Sequence, residues 1–136
     1  MELKVEISVG ELLDKITILE IKSERVADEA KLANIRTELE TLRHTWRDSP
    51  AGALDLGDLQ ARLKQVNELL WDIEDGIRNL EAAGSFGDEF VRLARSVYHR
   101  NDERAALKRE VNRRAGSRLV EEKSYTEYRG KGKDPS

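Results

Sequence analysis

The residues best suited to chemistry form a cationic, hydrogen-bonding cluster between positions 95 and 108. Its members are Arg95, Tyr98, Asn101, Arg104 and Lys108. A helix that begins at residue 101 would add free backbone N–H groups to these side chains, and the combination would form a seat for a small anion. The structural alternative is that Asn101 and Asp102 cap a helix while the arginines form ion pairs with acidic helices.

A second candidate is acidic. Glu68, Asp72 and Asp75 lie at positions i, i+4 and i+7 and would share one face of a helix. Similar clusters bind magnesium in all-helical nucleotide pyrophosphohydrolases, which also carry paired glutamates on one helix. The adjacent pair Glu121-Glu122 lies outside the predicted helices. We therefore interpret the face as solvated, with ion pairs Lys64–Glu68 and Glu74–Arg78, and predict neither a metal site nor a cofactor.

The first helix carries Asp14, Lys15, Lys22 and Arg25. A long first helix with basic residues is also found in helical chorismate mutases, which bind a dicarboxylate among cations and act by electrostatics and positioning. The order of the basic residues does not match that pattern, so we favour pairing with helical acids such as Glu11. His44 and His99 have no ligand-spaced partners and are interpreted as surface or interface residues.

Composition limits the remaining classes of function. The 136 residues contain no Cys, which excludes disulfides, thiolate zinc sites and cysteine nucleophiles. Residues 92–118 hold nine basic and three acidic residues, a net of +6, whereas residues 1–91 hold 11 basic and 20 acidic residues, a net of −9. The basic stretch has no aromatic run or recognition motif, so nucleic-acid binding is not expected. Without an apolar run of ~18 residues or a signal peptide, we expect a cytoplasmic protein and no membrane partner.

The N-terminus predicts a strand followed by a helix. Leu3, Val5 and Ile7 alternate with polar residues, which is typical of a strand with one buried face. Ser8 and Glu11 then match a capping box. The first helix has a wide apolar arc, which predicts contacts with more than one neighbour.

Two further helices are predicted from heptad spacing. Asp28 can cap the second helix, whose apolar residues run to Trp46, and the segment 48–57 is a loop. The third helix has the strongest pattern, with apolar residues that alternate in steps of three and four. Its core seam includes Leu59, Leu63, Val66, Leu70, Ile73 and Ile77. The loop predicts that these two helices form an antiparallel hairpin.

The fourth helix contains an ambiguity. Its apolar register, set by Phe90, Leu93 and Val97, places arginine at positions 100 and 104. Either the helix breaks near Asn101 or two arginines point inward, and we favour the break. Gly116 ends the helix, and residues 119–128 can pair with the N-terminal strand. These signals predict one helical domain, residues 1–128, and a flexible tail, residues 129–136.

Several stretches resemble a known bacterial family. The opening SVGELLDKITILEIK at residues 8–22 is similar to that of the domain-of-unknown-function family numbered six-one-six-five. Similar stretches recur at residues 66–75, 93–98 with 101–104, and 116–125. The resemblance implies a small, helical protein of the bacterial cytosol with no assigned activity and supplies no catalytic residues.

Together these patterns predict a mainly α fold: a bundle of about four helices with a short N-terminal strand. Because nearly every signal concerns caps, seams and turns, we expect a non-enzymatic interaction or assembly module. The alternative is a small-anion-binding protein or enzyme that uses the cluster at 95–108. The unpaired edge of the predicted strand and the wide apolar arc of the first helix predict a homodimer. A different protein partner could cover the same two surfaces.

Overall fold

The computed structural model describes residues 1–129 and contains four α-helices. They are α1 (Val9–Arg25), α2 (Glu29–Asp48), α3 (Gly57–Ala82) and α4 (Asp88–Ala115), with a short 3-10 helix, Pro50–Ala53, between α2 and α3. The predicted all-helical bundle is confirmed, but the predicted antiparallel hairpin of α2 and α3 is wrong. Within the described residues, α3 packs mainly against α4 and α2 packs mainly against α1. Apart from Arg129, the tail predicted for residues 129–136 lies outside the described residues. Within the described part of the chain, no helix is both long and apolar enough to cross a membrane.

Three predicted helix ends, at Ser8, Asp28 and Gly116, are confirmed by their caps. Ser8 Oγ accepts a hydrogen bond from the backbone N–H of Glu11 at 3.0 Å, and Asp28 Oδ1 accepts one from Lys31 at 2.9 Å. Gly116 ends α4 in the left-handed region, at a φ of 63°, which a residue without a Cβ adopts at little cost.

The predicted N-terminal strand is wrong. Residues 1–129 contain no strand, and Leu3 and Val5 are 82% and 76% exposed. A strand needs an edge partner for its backbone groups. The segment predicted to pair with it, residues 119–128, instead runs along α4, where Glu121 and Lys123 make ion pairs.

The predicted helix break at Asn101 is also wrong, because α4 is continuous from Asp88 to Ala115. The other alternative, in which arginines point inward, is correct for Arg104, which binds the buried Asp14 of α1. Arg100 pairs with Glu103 on its own helix. A buried carboxylate on a neighbouring helix thus replaces the apolar contact that position 104 would otherwise make.

Helix α1 lies at the centre of the fold and packs against α2, α3 and α4, as its wide apolar arc predicts. One core cluster joins Leu13 of α1 to α3 and α4, and a second joins α1 to α2. Trp46 packs against both clusters.

The core is confined to one end of the α3–α4 hairpin. Of the predicted seam, Leu59, Leu63 and Val66 are buried, whereas Leu70, Ile73 and Ile77 are only half-buried. On α4, by contrast, no residue before Leu107 is buried. Residues 73–100, named here the distal arm, therefore form a two-helix extension whose apolar side chains are partly exposed.

Candidate functional site

The candidate site begins with a close approach between α1 and α4. The backbone N–H of Gly10 donates to Asn112 Oδ1 at 2.7 Å, and a Cβ at residue 10 would lie 2.5 Å from the carbonyl oxygen of Lys108. Only glycine permits this distance. The following turn of α1 consequently faces Arg104 and Lys108.

The centre of the site is the carboxylate of Asp14, which is fully buried. Arg104 donates from Nε at 3.0 Å and from Nη2, which makes a two-pronged ion pair. Asn67 Nδ2 of α3 donates to Asp14 Oδ1 at 2.9 Å and to Thr17 Oγ1 at 3.0 Å. A buried charge with this many partners fixes the positions of three helices relative to one another.

Lys108 is the second cation of the site. Its Nζ lies 2.6 Å from Glu11, 3.0 Å from Glu121 and 4.0 Å from Asp14. Burial of the side chain, which is 13% exposed, works against the charged form. Its hydrogen bonds to Glu11 and Glu121 outweigh that cost and leave the pKa of Lys108 raised.

The two glutamates on Lys108 titrate as a pair. The contact with the carboxyl of Glu121 and the nearby charges of Lys108 and Lys15 lower the pKa of Glu11 to about 2. The same contact and burial raise the pKa of Glu121. Glu121 is therefore the carboxyl that takes up a proton first, and its ionised form is disfavoured next to Glu11.

Residues 117–129, named here the C-terminal strap, run back along α4 from residue 112 towards residue 98. After Glu121, Lys123 contacts Asp102 at 2.8 Å, and Arg129 contacts the same carboxylate at 3.5 Å. The Tyr128 ring packs against the Tyr98 ring, with the ring centroids 4.6 Å apart, and the Tyr128 hydroxyl group lies 3.1 Å from Nδ1 of His99. The strap is thus held mainly by ionic and aromatic contacts.

A cavity of about 540 Å³ lies between α4, Glu11 and the strap. Its lining is mixed in charge, with four acidic side chains and four basic ones: Glu11, Asp102, Glu121, Glu122, Arg104, Lys108, Arg109 and Lys123. Asn101 and Asn112 also line it. Although Asp102 Oδ2 is buried, it accepts no hydrogen bond from the described residues.

The structure divides the predicted anion cluster. Asn101, Arg104 and Lys108 line the same cavity, although Arg104 and Lys108 are also engaged in ion pairs with α1. Tyr98 contacts the strap, and Arg95 lies further along α4 at a separate cavity of about 560 Å³. The structure therefore brings three of the five side chains together, and α4 supplies no helix N-terminus at residue 101.

Sequence reasoning missed Glu11, Asp14, Asn67 and Thr17 as partners of the cluster. One signal was present for Asp14, which interrupts the apolar run of α1 between Leu13 and Ile16. A carboxylate at such a position requires a buried cation.

The acidic face of α3 is engaged in ion pairs. Arg25 of α1 lies 2.6 Å from Asp72 and 3.8 Å from Glu68, so it binds two of the three carboxylates. The predicted Glu74–Arg78 pair is confirmed at 3.4 Å. The predicted Lys64–Glu68 pair is not formed, because Lys64 pairs with Glu24 of α1 at 2.6 Å.

Comparisons with known proteins give a single match. No curated protein and no solved structure matches the chain. Residues 3–132, nearly the whole sequence, match the model of a family described as a family of unknown function (DUF6165). The resemblance inferred from the opening helix and the later stretches is therefore confirmed, and this chain belongs to that family.

Proposed function

We propose that this chain is a non-enzymatic helical interaction module of the bacterial cytoplasm. The observation that carries the proposal is the distal arm, where an apolar heptad seam continues beyond the core and, within residues 1–129, is covered by two helices alone. Ile73 and Ile77 of α3 are half-buried, and Phe86 and Val91 are 56% and 50% exposed. Apolar side chains that a two-helix arm leaves partly exposed offer surface that a protein partner could cover.

The charged site supports the same proposal. A catalytic cation must be free to meet its substrate, whereas in the free protein Arg104 is bound by Asp14, and Lys108 by Glu11 and Glu121. A buried network of this kind fixes the register of packed helices. We therefore infer that this network holds α1, α3 and α4 in fixed positions, so that the distal arm extends beyond the core.

The first partner to consider is a second copy of the chain. Two hairpins that each expose an apolar seam can form a four-helix bundle around a two-fold axis. An arm about 20 Å long and about 20 Å wide would bury roughly 400 Å² per protomer, which is below the size of a standard interface. We therefore expect a weak homodimer that forms at micromolar or higher concentration.

Light scattering of the full chain across a concentration series tests this proposal. The expected mass rises from 15.5 kDa towards twice that value. In Ile77→Gln the seam loses an apolar contact, so the mass should stay monomeric while the helical circular dichroism is kept. The matched control, Asn79→Gln on the exposed face of the same helix, should behave as wild type. A monomer at every concentration would refute self-association.

A second candidate function is binding of a small carboxylate anion. Its support is that Lys108 already binds the carboxylate of Glu121, which is an exposed side chain on a peripheral segment. An external carboxylate could take its place beside Arg109, which also lines the cavity. The test is a thermal-shift screen with di- and tricarboxylates and phosphate. A specific rise in Tm that Arg109→Ala abolishes would favour this candidate over the interaction module.

A further inference from the structure

The way in which the strap contacts α4 describes a recognition site. Glu121 binds Lys108, and Lys123, two residues later, binds Asp102. Residues i and i+2 of an extended chain are about 7 Å apart, and positions 102 and 108 of a helix are about 9 Å apart along its axis. An acid two residues before a base can therefore contact both Lys108 and Asp102, because the flexible Glu and Lys side chains make up the remaining ~2 Å.

The strap contributes little apolar burial. Val120 and Tyr125 are 46% and 85% exposed, and Leu119 and Tyr128 are only half-buried, so no side chain of the strap belongs to the hydrophobic core. It begins next to Gly116, where the left-handed backbone allows the chain direction to change. Repulsion between Glu121 and Glu11 weakens it further. Segments with few buried apolar contacts open at low free-energy cost.

The surface beneath the strap is also incompletely filled. The cavity of about 540 Å³ leaves room beside the strap. Asp102 Oδ2 is buried and makes no hydrogen bond within residues 1–129, and its ion-pair partner is Arg129 at 3.5 Å. A ligand with an N–H donor at hydrogen-bond distance from this oxygen would satisfy an acceptor that the strap contacts only at the longer distance.

We propose that the surface of α4 from Tyr98 to Lys108 is a docking groove for an extended segment of a partner protein that carries an acid two residues before a base. The strap occupies this groove in the free protein and is displaced when the partner binds. This proposal rests on the proposed interaction function and adds the chemical class of the partner, which the distal arm alone does not indicate. Lys108 and Asp102 select such a segment because their charges are opposite to those of its acid and its base.

The test uses a fluorescent synthetic peptide with the sequence of residues 117–129 as the probe. It is titrated against the full wild-type chain and against the full-length variant Glu121→Lys/Lys123→Glu, in which like charges repel the strap from Lys108 and Asp102. The variant should bind the peptide at least tenfold more tightly than wild type, since its own strap no longer competes at a high effective concentration.

Two controls test the groove itself. Adding Asp102→Asn to the strap variant should weaken peptide binding at least fivefold, with an unchanged helical circular dichroism spectrum. A peptide with the acid and base exchanged should bind more weakly than the original peptide. Equal affinity of wild type and the strap variant, no measurable binding, or indifference to Asp102→Asn would each overturn the proposal.

A small-anion site gives a different result. If citrate saturates the strap variant and the peptide does not, the groove takes small carboxylates and the docking proposal is overturned. The proposed interaction function is judged separately, because self-association through the distal arm is measured with the strap intact. A dimer without peptide binding would keep the interaction module and remove the groove.

Discussion

Substituting Asp14 by alanine tests the buried ion pair at the centre of the fold. The carboxylate is fully buried and accepts hydrogen bonds from both Arg104 and Asn67. Its removal leaves a guanidinium and an amide without their acceptor inside the protein. Breaking a buried pair by removing one partner costs about 3–5 kcal/mol.

The lower end of that range applies here. The Arg104 side chain is 30% exposed, so the freed guanidinium can turn partly towards water. We therefore expect Asp14→Ala to reduce the free energy of unfolding by about 3 kcal/mol, which corresponds to a fall in Tm of roughly 10 °C for a chain of this size. Urea denaturation followed by circular dichroism measures the change.

Two comparisons show whether the cost comes from the pair. Asp75→Ala removes an exposed carboxylate that has no ion pair within residues 1–129, and it should change stability by less than about 0.5 kcal/mol. In a double-mutant cycle, Asp14→Ala and Arg104→Ala should show a coupling of about 1–3 kcal/mol. If Asp14→Ala costs less than about 1 kcal/mol, or if the two substitutions are additive, the network does not hold the helices together.

Four further predictions concern the core, the contact between α1 and α4, and the two coupled glutamates Glu121 and Glu11. Leu63→Ala should cost about 3 kcal/mol in urea denaturation, whereas Ile77→Ala should cost about 1, because only Leu63 is fully buried; equal costs would contradict the confinement of the core to one end. Gly10→Ala should destabilise the chain in the same assay, since its Cβ would lie 2.5 Å from a carbonyl oxygen of α4, and an unchanged midpoint would contradict that close approach. The pKa of Glu121 is raised by its contact with Glu11, so the protonated form of Glu121 is the one that the fold stabilises. This contribution to stability is complete below the ordinary carboxyl pKa, and it is lost as the pH rises through the raised pKa. Glu121→Ala should therefore lower Tm more at pH 4 than at pH 7.5, and the reverse order would contradict the assignment. The pKa of Glu11 is lowered to about 2, so the ionised form of Glu11 is the one that stabilises the fold. This contribution to stability is complete above the ordinary carboxyl pKa and is lost as the pH falls towards 2. Thermal melts of Glu11→Gln and wild type between pH 2 and pH 5 measure it.

Local signals predicted the helices well because their causes are local. Ser8 and Asp28 cap through hydrogen bonds to backbone groups three residues away, and the seam of α3 is a periodicity within one helix. Each of these can be identified without knowing the neighbouring elements. The family resemblance was also recognisable from contiguous stretches of sequence.

The errors arose where a distant residue determines the outcome. The pattern of Leu3 and Val5 is that of a strand, but strand formation depends on a partner edge that the strap does not supply. The inward position of Arg104 in the continuous helix α4 is explained by Asp14, which lies 90 positions before Arg104 in the sequence and accepts its hydrogen bonds. Likewise, the cations of the predicted anion cluster could be identified from sequence, but not the internal carboxylates that neutralise them.

The most direct test of the interaction module is a distance measured between two copies of the distal arm. The chain contains no cysteine, so Asn79→Cys on α3 gives a single site for a spin label, and Arg36→Cys on α2 gives a control site away from the arm. Double electron–electron resonance at high protein concentration should show a defined distance below ~40 Å for the arm label, because two packed hairpins are only roughly 20 Å across. The control label should show a longer or broader distribution. Absence of any dipolar signal from the arm label at concentrations of several hundred micromolar would contradict self-association through the arm.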